Sequence, residues 1–215
     1  DTLKKIETPY TTLCGDDDFI VPNNAIKYVN FLDNNTDEYV CAIGDMVRFK
    51  LNPHTNKYDW YRSYPHIRSI ENNSPEERIE SHFSKYGFSL YYAVMNTEIL
   101  IDMWKKFKSY NLDNEYRFSE LLVNMIPLIQ GKLKYTDTLF AAKDTNPNSL
   151  SGQVPVLKSY FYNSMFKRFY PPFKNCLVDE LGCVTDLSLE ERKLFIDKCF
   201  TTYLNKKRNK PKPLK

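Results

Sequence analysis

Between residues 10 and 142 the chain alternates between two kinds of apolar patterning, and this alternation restricts the fold more than any other feature. Five runs read as strands, at residues 10–15, 38–50, 58–64, 90–95 and 132–142. Between them lie stretches with helical period. Pro22 opens a helix over residues 23–32, with Ala25, Ile26, Val29 and Leu32 predicted on its inner face. Ser74-Pro75-Glu76-Glu77 is a capping box that starts a helix reaching about residue 86. Residues 97–110 carry Ile99, Leu100, Met103, Trp104 and Phe107 on one side, and residues 119–129 form a further apolar helix. The polar 52–56 segment between two β-rich runs predicts a hairpin. Beyond residue 150 only helices are expected, at 154–170 and 188–204, the latter opened by a second box at Ser188. Such a pattern predicts an α/β fold, a mixed sheet flanked by helices, with a helical C-terminal portion. Residues 1–7 read as the end of a helix.

Composition narrows the function classes. Only 6 glycines in 215 residues argue against a glycine-rich phosphate loop. With 30 basic and 27 acidic side chains the net charge is +3, too balanced to imply nucleic acid. The positive charge gathers at the end, in Lys206, Lys207, Arg208, Lys210, Lys212 and Lys215. That tail reads as a solvated end or as a weak contact with anionic headgroups at a membrane surface. Five cysteines, none in a C-x-x-C pair, fit a reduced intracellular compartment. No apolar run reaches the ~18 residues of a membrane span, and no signal peptide is recognised. The expected location is cytoplasmic, at the inner face of the membrane where the tail engages it.

The chemistry concentrates at Asp16-Asp17-Asp18. Three adjacent carboxylates repel unless their proton affinities shift or a cation binds. They follow the first apolar run directly, and ligands of open α/β sheets gather at the carboxyl ends of strands. Oxygen-only ligands suit Mg²⁺ or Mn²⁺ completed by phosphate oxygens and water. An acidic turn before Pro22 is the structural alternative.

The segment Pro9-Tyr10-Thr11-Thr12-Leu13-Cys14-Gly15-Asp16-Asp17-Asp18-Phe19, with Pro22 after it, resembles inverting family-2-like glycosyltransferases of the GT-A fold, which carry a D-x-D motif at the end of a central strand. Ser74-Pro75-Glu76-Glu77-Arg78-Ile79-Glu80-Ser81-His82-Phe83, leading to Leu90-Tyr91-Tyr92-Ala93-Val94 and Asn96-Thr97-Glu98, looks like a bacterial surface-glycan subgroup of these enzymes. So does Phe118-Ser119-Glu120-Leu121-Leu122, leading to Gly131-Lys132. The resemblance covers about residues 1–150. It implies a GT-A-like catalytic region there, with the family's nucleotide-binding segment upstream of Asp1, and a helical extension with a basic tail over 151–215. It implies Asp18 as direct metal ligand, Asp16 towards the donor's ribose or sugar and as second ligand, and Asp17 assisting. Glu120 is the positional match for the catalytic base, with Glu115 and Asp113 behind it. The implied cofactors are Mn²⁺ or Mg²⁺ and a UDP-sugar donor, and the implied acceptor is a glycan or lipid-linked hydroxyl. The Q-x-x-R-W motif of many members is absent; Lys143-Asp144, placed in a loop over 141–150, is the nearest feature.

Two other functions compete: a catalytically inactive carbohydrate-binding module, and a nucleotidyltransferase. Tyr58, Trp60, Tyr61 and Tyr64 either pack a core or form a sugar-stacking wall. His54, His66 and His82 read as structural, His82 being the one with a metal-ligand alternative. Arg62 and Arg68 read as solvated arginines or phosphate contacts.

Overall fold

The computed structural model describes residues 5–63, 67–85, 88–145 and 164–205. Its elements run β1 (Tyr10–Thr11), β2 (Phe19–Ile20), α1 (Pro22–Asp33), β3 (Tyr39–Asn52), β4 (Lys57–Arg62), α2 (Pro75–Ser84), β5 (Val94–Asn96), α3 (Thr97–Ser109), α4 (Tyr116–Gln130), β6 (Lys132–Asp144), α5 (Ser164–Gly182) and α6 (Leu189–Asn205). The fold is mixed α/β, as the alternation predicts.

One curled mixed sheet takes the order β1-β5-β3-β6-β2, with β4 paired to β3. Its centre is the parallel pair β3 and β6, the two longest strands; the other pairings are antiparallel. A parallel pair needs a crossover, and here it is the chain from β4 through α4. The register of β3 and β6 shifts on either side of Asp45. At that irregularity the Asp45 carboxylate receives Arg62 at 2.8 and 2.6 Å and the Tyr135 hydroxyl at 2.7 Å. Burial and this carboxylate push the Tyr135 hydroxyl up to about 12.

Several predicted elements change length. The first apolar run is a strand over two residues only, and a second two-residue strand, β2, follows the aspartates. Residues 90–93 form a turn, so the strand predicted at 90–95 shrinks to Val94–Asn96. Helix α4 starts at Tyr116, three residues early, because the buried Glu115 caps it, accepting from the N–H groups of Arg117 and Phe118. In α1 the inner face is Ala25, Tyr28, Val29 and Leu32, the i, i+3, i+4, i+7 set, whereas Ile26 is 58% exposed. Helix α5 passes through Pro171 and Pro172 to Gly182, where the sequence predicts an end at 170. Packing overrides the missing hydrogen bonds: Phe169, Phe173, Cys176, Leu177 and Leu181 are all buried along it.

Both capping boxes form at their N-caps. The Glu77 N–H donates to Ser74 Oγ at 3.2 Å, and Ser188 N–H donates to the Glu191 carboxylate at 2.8 Å. The core runs continuously from Tyr28 to Phe200 and includes residues of α5 and α6. Phe118 of α4 meets Phe173 at 5.1 Å and Phe200 at 6.0 Å between ring centroids. Arg78, buried in α2, donates to the carbonyls of Leu128 (2.6 Å), Ile129 (2.9 Å), Asn72 (3.1 Å) and Asn73 (2.7 Å). It thereby satisfies carbonyls in the last turn of α4. Among the described residues no helix is long and apolar enough to cross a membrane. The basic tail, Tyr64, His66, the 146–152 loop and the start of the helix predicted at 154 lie outside the described residues.

Candidate functional site

The aspartates do not end a central strand. They occupy the turn between β1 and β2, which pair at opposite edges of the sheet. The chain from 12 to 18 therefore crosses between those edges. Thr12 Oγ1 fastens it by donating to the Tyr92 carbonyl at 2.7 Å. Its far end reaches the carboxyl end of β6, where Asp18 Oδ1 accepts the Asp144 N–H at 3.0 Å. The Asp18 side chain thus extends the β2–β6 ladder by one hydrogen bond.

Asp18 Oδ2 accepts the Tyr92 hydroxyl, and Lys143 Nζ donates to that same hydroxyl at 3.0 Å. The ammonium also lies 5.2 Å from the Tyr92 ring centroid. A carboxylate, a buried phenol and an ammonium therefore form one chain of polar contacts. Gly15 makes room for it: a Cβ there would lie 2.6 Å from Asp18 Oδ2 and 3.2 Å from Asp17 Oδ1. Asp16 and Asp17 are exposed, and among the described residues no hydrogen bond or ion pair engages their carboxylates. The turn's negative charge is felt nearby. Burial first, then Asp18, raises the Tyr91 hydroxyl, and burial followed by Asp18 and Asp17 raises the Cys14 thiol.

Glu120 lies on α4, half-buried, with Oε2 3.4 Å from Arg117 Nη1. Among the described residues no hydrogen bond or ion pair joins it to Asp16, Asp17 or Asp18. One turn on, the Asn124 side chain donates to the Glu120 backbone carbonyl at 2.5 Å and accepts the Leu90 N–H at 2.6 Å. Of the two fallback bases, Glu115 is consumed as the α4 cap and Asp113 is exposed.

Lys143 belongs to β6, not to a loop. The β3–β6 register sets it opposite Arg48, which pairs on its other side with Tyr61 of β4. The next positions, Phe49, Asp144 and Trp60, take the opposite face. Tyr61 thus shares the Lys143 face. Tyr58 and Trp60 lie behind it and, with Phe19, are exposed around the half-buried Phe49. Arg62 is held by Asp45, and Arg68 donates to the Ser81 carbonyl at 2.9 Å. His82 is fully buried edge-on against Phe88, 4.9 Å between ring centroids.

Tyr92, Arg48 and the β-strand placement of Lys143 are missed by sequence reasoning. Periodicity assigns faces within a strand, but pairing Arg48 with Lys143 requires the register of two strands over eighty residues apart.

Among the described residues, no group of three or more His, Cys, Asp and Glu side chains is placed to hold a metal ion. An ion of the Mg²⁺ type needs fewer, since one or two carboxylates suffice beside phosphate oxygens and water. Among the described residues no donor engages the Asp16 carboxylate, and Asp18 accepts from the Tyr92 hydroxyl and the Asp144 N–H. No protein-family model matches the chain, and no curated protein matches it.

Proposed function

We propose that this protein transfers a glycosyl group from a nucleoside-diphosphate sugar, with UDP as the expected nucleotide, to a hydroxyl of a glycan or lipid-linked acceptor. One observation supports this reading above the others. A turn of three carboxylates lies at the carboxyl end of β6, braced through Asp18 to Tyr92 and Asp144, while Asp16 and Asp17 face solvent. Ligands of α/β sheets bind at that end.

In this reading the GT-A fold is the finer form of the α/β architecture, and residues 1–150 are its catalytic region. Asp16 and Asp18 would hold Mn²⁺ or Mg²⁺, with Asp17 assisting. The ion, when bound, supplies positive charge to the departing diphosphate. Tyr92 and Asp144 keep the Asp18 carboxylate in one orientation, and Asp16 faces the donor's ribose or sugar. Glu120, beside Arg117, takes the proton of the acceptor hydroxyl. That oxygen then bonds to the anomeric carbon while the bond to the phosphate oxygen breaks and the nucleoside diphosphate leaves with the electron pair. The work is assigned to the cytoplasmic face of a membrane, with the basic tail as peripheral contact.

The test is release of UDP from UDP-sugars in the presence of Mn²⁺. Glu120→Gln is expected to lower turnover about 100-fold, the scale of a lost general base, with unchanged melting temperature. Full activity in Glu120→Gln removes the base assignment, and absence of any donor turnover, with or without acceptor glycans, removes the reading. The exposed rings of Phe19, Tyr58 and Trp60 around Phe49 favour a second reading, an inactive carbohydrate-binding module. It requires glycan binding that survives loss of Asp18.

A further inference from the structure

Most large apolar side chains of this chain are inside, but four stand out together. Phe19 of β2, Leu51 of β3 and Tyr58 and Trp60 of β4 are each between 46% and 62% exposed. Three of them meet the Phe49 ring directly, with centroids at 5.9 Å for Phe19, 5.7 Å for Tyr58 and 5.4 Å for Trp60. Leu51 pairs with Tyr58. A contiguous apolar patch of this kind marks a surface that meets a partner rather than water.

The patch runs out onto a projecting hairpin. Pairing of β3 with β6 ends at Phe49 and Asp144, whereas pairing of β3 with β4 continues to Asn52 and Lys57. Asn52 ties the tip: its side chain accepts the His54 N–H at 3.0 Å and donates to the Asp59 carboxylate at 3.1 Å. Strand alternation puts Leu51, Tyr58 and Trp60 on one face of the hairpin and Lys50 and Lys57 on the other. Both lysines are exposed, and among the described residues no hydrogen bond or ion pair engages them. Asp59 is the one acid of the projecting part, and it lies on the lysine face in the grip of Asn52. The tip therefore presents an apolar face free of carboxylates, flanked by two cations. Tyr and Trp suit the boundary between headgroups and acyl chains, being apolar with one polar edge. Lysines beside them reach the phosphates of anionic lipids.

We propose that the β3–β4 hairpin docks on an anionic membrane surface. Leu51, Tyr58 and Trp60 enter the headgroup boundary, and Lys50 and Lys57 meet the lipid phosphates. That this docking serves a lipid-linked acceptor rests on the function proposed above; the docking itself does not.

The chain has two tryptophans, and Trp104 is half-buried in α3 against Phe107, so Trp60 fluorescence reports on the hairpin. The experiment mixes the full chain with vesicles of phosphatidylcholine alone or with an equal part of phosphatidylglycerol. Binding is read by co-sedimentation and by Trp60 emission, with Trp60→Phe as the blank. Wild type is expected to bind the anionic vesicles, with Trp60 emission moved to shorter wavelength and quenched by brominated acyl chains. Leu51→Ser with Tyr58→Ser is expected to weaken that binding at least about 10-fold, through the apolar area withheld from the bilayer. Lys50→Gln with Lys57→Gln is expected to weaken it about 10-fold, through two lost headgroup contacts. All four side chains are exposed or half-exposed, so melting temperatures should not change. Vesicle binding that leaves Trp60 emission unchanged and ignores both double variants belongs to the basic tail and overturns the proposal. So does the absence of binding to anionic vesicles. A soluble glycan that shifts Trp60 emission while vesicles do not overturns it too, and assigns the rings to the carbohydrate-binding reading.

Discussion

Tyr92 shows how much one side chain organises. Its hydroxyl donates to Asp18 and accepts from Lys143, while its backbone carbonyl takes the Thr12 hydroxyl. Three segments distant in sequence therefore meet at one residue. Removing only the hydroxyl, in Tyr92→Phe, leaves Asp18 Oδ2 without its donor at a half-buried position. The expected cost is about 1–2 kcal/mol in urea unfolding, the range for a carboxylate that loses a hydrogen bond. A variant as stable as wild type would show that the contact contributes nothing to folding. Among the described residues no hydrogen bond or ion pair engages the Asp16 carboxylate, so its replacement is expected to read function without disturbing the fold. That an acidic turn precedes Pro22 was legible from three consecutive carboxylates. Which of them turns inward was not, because that depends on Gly15, Tyr92 and Asp144, which only the folded chain gathers.

Among the elements, those specified locally were read well. The hairpin of β3 and β4, the caps at Ser74 and Ser188, and the inner face of α3 at Leu100, Met103, Trp104 and Phe107, though not at Ile99, follow from a few consecutive residues. Elements whose extent depends on partners were misread. β1 and β2 stop after two residues because the chain leaves one sheet edge for the other, and α5 continues through two prolines because its apolar face is buried. The seating of α1 on the sheet is a sharper case. At Gly44 a Cβ would overlap the Tyr28 hydroxyl and the Thr138 carbonyl oxygen, one a side chain of α1 and the other backbone of β6. Tyr28 is further fixed by Thr136 Oγ1 at 2.8 Å and by Phe140, 5.0 Å between ring centroids. Gly44→Ala is therefore expected to destabilise by about 2 kcal/mol, as overpacking does. A melting temperature equal to wild type would mean that α1 is free to shift.

At the scale of the whole molecule, one continuous core joins the sheet to the C-terminal helices. Phe118→Ala in α4 empties the aromatic cluster between them and is expected to cost about 3–5 kcal/mol. The same core holds three thiols. Cys41, Cys176 and Cys199 are buried, and burial pushes each from 9.0 up to about 12. A thiol whose proton is held more tightly when folded stabilises the protein fully below the unfolded value and loses that contribution as pH rises towards 12. Between pH 9 and 10 the loss is about 1 kcal/mol per cysteine. Denaturant midpoints measured at pH 8, 9 and 10 should fall steadily, and the fall should flatten when the three are replaced by alanine. An unchanged slope in the triple variant would place the alkaline sensitivity elsewhere. The α/β class was visible in the alternation of patterns, whereas the sheet order was not, since β1 and β2 reach opposite edges through long-range pairing.

Nucleotide binding at the Asp16–Asp18 turn, as proposed, is read by calorimetric titration of UDP with Mn²⁺ into wild type and Asp16→Ala. Wild type should bind UDP, and Asp16→Ala should bind at least about 10-fold more weakly, the effect of one lost charged contact, with its melting temperature unchanged. Equal affinity in the two proteins, or no UDP binding by wild type, would contradict it.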